Sequence, residues 1–175
     1  MLYRLSAAWA RVELWCAALL AVCVTLLVLL NVVTRTAGNA LFWVDELAIY
    51  AMAWMTFLGA SAALHHRSSV AITLLPDTVS HQLKAVITKT VDAVIFVFAL
   101  SMLWFCWRWF MPLDLARAGF DTTAFQGQTF NFIYAEPTST LGVPKYLFWS
   151  VMWLFALGAT LHSAMHLISP PETKT

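Results

Sequence analysis

The chain has 175 residues, of which 61% are hydrophobic and only 11% charged. A soluble domain carries roughly 45–50% apolar and about 25% charged residues, so this composition excludes an ordinary water-soluble enzyme and any sizeable disordered segment. Ten Lys and Arg against nine Asp and Glu leave no basic field, which excludes nucleic acid as a partner. What remains is an integral membrane protein.

A spanning helix needs about 20 apolar residues, and four such runs follow one another. The first, Leu14 to Thr34, is free of charge. Arg4 and Arg11 ahead of it mimic the start of a signal peptide, but a cleaved apolar core is only about 7–15 residues long. Here the run closes on Asn31-Val32-Val33-Thr34-Arg35, and the segment is expected to stay in the protein. Residues 1–11, with Leu2, Tyr3, Leu5 and Trp9, fit an interfacial turn of helix lying in the membrane plane.

The second run, Leu47 to Leu64, follows Phe42-Trp43-Val44-Asp45-Glu46. The third lies between Asp92 and Pro112, where Trp104, Trp107 and Trp109 surround an Arg108 placed to snorkel to the headgroups. The fourth, Tyr146 to Leu167, has no Lys, Arg, Asp or Glu but holds His162 and His166. The expected fold is all-α: one four-helix membrane domain over residues 1–175, with spans near 12–34, 43–65, 86–111 and 145–168.

Counting Lys and Arg by side orients the spans. With the N-terminus inside, Arg4, Arg11, Arg67, Lys84, Lys89 and Lys174 are inner, while Arg35, Arg108, Arg117 and Lys145 are outer. Both ends are therefore expected on the cytoplasmic side. The long connection over 112–144 is then outer and carries Phe120, Phe125, Phe130, Phe132 and Tyr134. It suits a docking surface and equally a segment folded back onto the helices or the interface. Cys16, Cys23 and Cys106 lie within apolar runs without a CxxC, and read as small buried residues rather than a thiol site.

Asp45 and Glu46 fall in the first turn of the second helix, where negative charge meets the positive end of the helix dipole. Adjacent helical positions diverge by about 100°, so the two are not a paired acid and base. Arg35, just across a short hairpin, is within reach of Glu46, and an ion-paired helix end is the simplest reading. His65 and His66 end the second helix, and His162 and His166 share a face of the fourth at i, i+4. One histidine from each helix could in principle hold a haem, but histidines at an interface are the commoner case.

Gly59 and Ala63, within Gly59-Ala60-Ser61-Ala62-Ala63, form a small-xxx-small pair, and Ala156, Thr160 and Ala164 repeat that spacing. Such residues let helices approach closely, within the bundle or against a partner. There is no P-loop, HExxH or GxSxG, and no broken, polar midplane of the kind a self-sufficient transporter needs. The residues point to a structural subunit without catalysis, metal or cofactor.

Asn31-Val32-Val33-Thr34-Arg35, then Phe42-Trp43-Val44-Asp45-Glu46-Leu47-Ala48-Ile49-Tyr50, then Trp54-Met55-Thr56-Phe57-Leu58-Gly59-Ala60 resembles the small, DctQ-like membrane subunit of TRAP (tripartite ATP-independent periplasmic) transporters. Gly142-Val143-Pro144 before the last helix extends the resemblance. Two departures accompany it: Ser69 and Thr73 stand where the family commonly has His and Asp, and the outer loop is longer than usual. The resemblance implies a scaffold in the bacterial inner membrane, partnered by a large DctM-like subunit that carries the sodium and substrate sites. It also implies a DctP-like periplasmic binding protein that captures an organic acid. In this scheme Arg35, Trp43 and Glu46 fix the outer hairpin and the Gly59-Ala60 face meets the large subunit or a neighbouring helix, with Asp45, Trp54 and Ala63 counted among the structural or partner-binding residues. The alternative is a four-helix cytochrome subunit with haem between His65 or His66 and His162 or His166. A small exporter acting alone through Glu46 is a third reading.

Overall fold

The computed structural model describes residues 1–67 and 80–169. Ser69, Thr73 and Lys174 lie outside the described residues. Among those described, the chain is helical apart from its connections, with a lone antiparallel bridge between Pro137 and Pro144. Four helices are long and apolar enough to cross a membrane, in agreement with the all-α, four-span reading.

Helix α1 covers Leu2–Thr36, 35 residues without a glycine or proline. At 1.5 Å per residue it is about 50 Å long, well beyond a hydrocarbon core of about 30 Å. Residues 2–11 are thus continuous with the helix that carries the first span, rather than a separate interfacial turn. Ser6, Ala10 and Glu13 share one face of this segment and are buried, which docks it onto the other helices. Gly38 ends the helix in a left-handed conformation, φ +76°, while its N–H and that of Asn39 cap the carbonyls of Arg35 and Thr34 at 3.1 and 2.9 Å.

Helix α2 is Phe42–His65 and α3 is His81–Phe110. Ser80 Oγ caps α3 by accepting from the Leu83 N–H at 3.4 Å. Met111, with φ +43°, turns the chain out of α3, and Pro112 opens the short helix α4, Pro112–Arg117. Asp121 Oδ1 then caps α5, Thr122–Thr129, through the N–H groups of Thr123 and Ala124 at 2.8 and 3.2 Å. A last turn α6, Tyr146–Trp149, leads through Ser150 into α7, Val151–Ile168.

Among the described residues, the first, second and fourth spans pack on one another and the third joins them through the fourth. Helix α1 packs along α2, α2 along α7, and α7 along α3, while α1 also meets α7. Helix α7 is the most buried span and α1 the least. Buried Ala156, Gly158 and Ala159 let the neighbours of α7 come close. Leu27, Val44 and Ala48 fill the α1–α2 contact. Cys106 is buried, but Cys16 and Cys23 are exposed, because so little of α1 is covered by other helices.

The 112–144 connection is a folded cap. Phe125 is fully buried and packs with Phe110 and Ile133, flanked by Tyr134, Tyr146 and Trp153. Asn131 Nδ2 donates to the Trp109 carbonyl at 2.7 Å and the Tyr134 hydroxyl to that of Phe110 at 2.6 Å. Phe120, Phe130 and Phe132 remain exposed. The fold-back and the exposed aromatic surface are therefore properties of different phenylalanines in one segment.

Candidate functional site

At the loop end, Arg35 pairs with Asp45 rather than with Glu46. Its Nη2 lies 2.5 Å from Asp45 Oδ2 and its Nε donates to Asn31 Oδ1 at 3.0 Å. Asn31 Nδ2 in turn donates to Asp45 Oδ1. The angular divergence of adjacent helical positions sends Glu46 elsewhere. Its carboxylate accepts from the N–H groups of Ser139, Thr140 and Leu141 at 2.7, 2.6 and 3.1 Å, and from the Thr140 hydroxyl at 2.6 Å. Glu46 is the anchor of the cap on α2. Nearby, Glu136 Oε1 sits 2.6 Å from Lys145 Nζ and that hydrogen bond holds Lys145 above the usual lysine range.

Trp54 Nε1 donates to the Phe148 carbonyl at 2.8 Å, and the Tyr50 and Phe148 rings stack with centroids 3.9 Å apart. Those two contacts tie α2 to the start of the fourth span. Trp43 is exposed. Gly59 and Ala60 point away from the rest of the chain: a β-carbon on Gly59 would meet nothing within 4 Å, and Ala60 is exposed alongside Ala53 and Thr56. Ala63 is half-buried. The small residues of α7 face inward instead, with Ala156 fully buried.

The most constrained polar site lies at the opposite end and includes residues that sequence reasoning passed over. Glu13 and His162 are 2% and 0% exposed, with His162 Nε2 at 3.1 Å from Glu13 Oε2. Trp9 Nε1 donates to Glu13 Oε1 at 2.8 Å. Ser6 Oγ lies 2.7 Å from both His162 Nδ1 and His65 Nδ1. Arg67 Nη2 binds Asp92 Oδ2 at 2.8 Å and its Nε donates to His166 Nδ1 at 2.9 Å. His166 Nε2 therefore carries the hydrogen, donating to the carbonyls of Leu64 and His65 at 3.0 and 3.1 Å. Lys89 Nζ donates to the carbonyls of His166, Leu167 and Ser169, satisfying the open end of α7.

His162 is thus a core residue, not one snorkelling to an interface. The available signal was Glu13, an acid continuing the helical run ahead of Leu14. Its position at the edge of that run hides its burial until α7 is placed against it. The geometry lends the haem reading no support: both nitrogens of His162 and of His166 hydrogen-bond within the chain, and Ser6 stands between His162 and His65. Nor does it favour transport through Glu46, whose oxygens are held by the cap.

The family model for the DctQ component of tripartite ATP-independent periplasmic transporters matches residues 24–171. No match was found among curated proteins or among solved structures.

Proposed function

The chain belongs to the DctQ family of tripartite ATP-independent periplasmic transporter components, and from that premise we propose that it is the non-catalytic scaffold subunit of a sodium-coupled importer of an organic acid anion. In this reading it sits in a bacterial inner membrane with both ends cytoplasmic. It binds a large DctM-like subunit that carries the transport sites.

The observation that carries the proposal is the open face of α2. Gly59 and Ala60 are the kind of residue that brings helices together where lipid offers no hydrophobic drive, yet among the described residues nothing packs on a Gly59 β-carbon and Ala60 is exposed. A helix of the large subunit is the partner that suits this face. The exposed apolar side chains of α1, among them Trp15, Leu19, Val22 and Leu26, suit lipid. Phe120, Phe130 and Phe132 on the outer cap suit a passing contact with a DctP-like binding protein.

Co-purification tests the α2 face. Gly59→Leu and Ala60→Leu are expected to leave the yield and melting of this chain unchanged while reducing recovery of the large subunit at least tenfold. Val22→Leu on α1 is expected to change neither. Full recovery of the large subunit with both α2 variants would move the interface elsewhere.

A further inference from the structure

We propose that Glu13, His162, Ser6 and His65 form a proton-binding site of this chain, in which the Ser6 hydroxyl relays the proton between His65 at the helix ends and the buried His162–Glu13 pair. The inference is independent of the scaffold reading.

Hydrogen-bond accounting leads to it. Both Glu13 oxygens act as acceptors, one from the Trp9 N–H, a group that can only donate, and the other from His162 Nε2. One hydrogen is shared between Glu13 Oε2 and His162 Nε2, and with Glu13 as a carboxylate it sits on His162 Nε2. Ser6 has a single hydroxyl proton but touches two imidazole nitrogens at 2.7 Å. It can donate to only one of them, so the other imidazole must donate to Ser6.

With Glu13 a carboxylate and His65 neutral, two arrangements carry a hydrogen on each of these contacts, and they differ by one proton. In the first, His65 Nδ1–H donates to Ser6 and Ser6 donates to the bare Nδ1 of a neutral His162. In the second, His162 carries hydrogen on both nitrogens and donates to Ser6, while Ser6 donates to a bare His65 Nδ1. The step between them balances simply. A proton from water binds His65 Nε2, the His65 Nδ1–H breaks as a Ser6 O–H forms, and the original Ser6 O–H breaks as His162 Nδ1–H forms. Nothing else is consumed or released.

Among the described residues, the surroundings give the proton a way in and a reason to stay. Ser6 and His162 are fully buried, whereas His65 is half-buried and beside the exposed His66, 5.0 Å between ring centroids. Uptake turns a lone buried carboxylate into a carboxylate–imidazolium pair, which is far less costly to keep out of water. The other charged groups facing the site are already engaged. On α7, His166 has both nitrogens occupied; Arg67, just beyond α2, is neutralised by Asp92 of α3; and Lys89 of α3 is held by three carbonyls.

Site-resolved nitrogen NMR of the histidine rings, in the full chain in lipid nanodiscs from about pH 8 to pH 5, tests the proposal. One pH step is expected, in which His162 gains its second hydrogen while the His65 hydrogen moves from Nδ1 to Nε2. Ser6→Ala is expected to separate the two changes, and Ser6→Thr, which keeps a hydroxyl, to preserve their coincidence. Constant protonation of His162 across the range, a fixed His65 tautomer while His162 titrates, or an unchanged titration in a folded Ser6→Ala variant would each overturn it. The wild-type spectra decide the matter if Ser6→Ala does not fold.

Discussion

Gly158 of α7 lies directly against the Glu13 carboxylate of α1. A β-carbon at position 158 would collide with Glu13 Oε1 and Ser61 Oγ and would stand 2.9 Å from Trp9 Nε1. Only a residue without a side chain lets α1 and α7 close around this site. Ser61 Oγ is buried there without a hydrogen-bond partner among the described residues.

Gly158→Ala is therefore expected to destabilise the chain by about 1–3 kcal/mol, the usual range for overpacking a filled site. Gly59→Ala, with open space at its β-carbon, is expected to be neutral or slightly stabilising, since alanine is the better helix former. Thermal unfolding in one detergent checks the contrast, and equal melting points for the two variants would contradict it.

Breaking the Arg67–Asp92 pair is expected to be severe. The two side chains are 19% and 5% exposed, and Arg67→Ala strands a buried carboxylate, a loss of about 3–5 kcal/mol. Arg67→Leu with Asp92→Leu together removes both charges and is expected to recover most of that loss. A double variant no more stable than Arg67→Ala would show that the pair does not act as a unit.

Glu46→Ala removes four hydrogen bonds to residues 139–141 at once. Limited proteolysis in detergent is expected to cut this variant in the cap several-fold faster than wild type, with the four spans left intact. In the assembled transporter the same change is expected to lower uptake without altering which solute is preferred. Unchanged cleavage of the cap would mean that Phe125 and Tyr134 hold it without help.

The four spans were legible because unbroken apolar runs and a shortage of charge announce themselves in any window of sequence. The helix-breaking Pro112 was equally plain. Arg35 was placed correctly at the hairpin but with the wrong carboxylate, since Asp45 and Glu46 diverge by a helical step and sequence does not say which one faces back. The site around Glu13 was not legible. A carboxylate beside an apolar run looks like the edge of a span, and its burial depends on His162 and Gly158, contributed by the far end of the chain. The opposite surprise came at Gly59, whose small-residue spacing was visible, while the open space over its β-carbon among the described residues was not.

Helices α1, α2 and α7 pack on one another, and α3 joins them along α7. The weakness of helices packed side by side is shear: neighbours can slide past one another along their axes. Helix α2 is lashed at both ends against that slip. Glu46 grips the cap that leads into the fourth span, and His65 grips Ser6 where α1 meets α7. With one end of α2 moored to the cap and the other to α1 and α7, the packed helices resist racking under a sideways load, as a braced frame does.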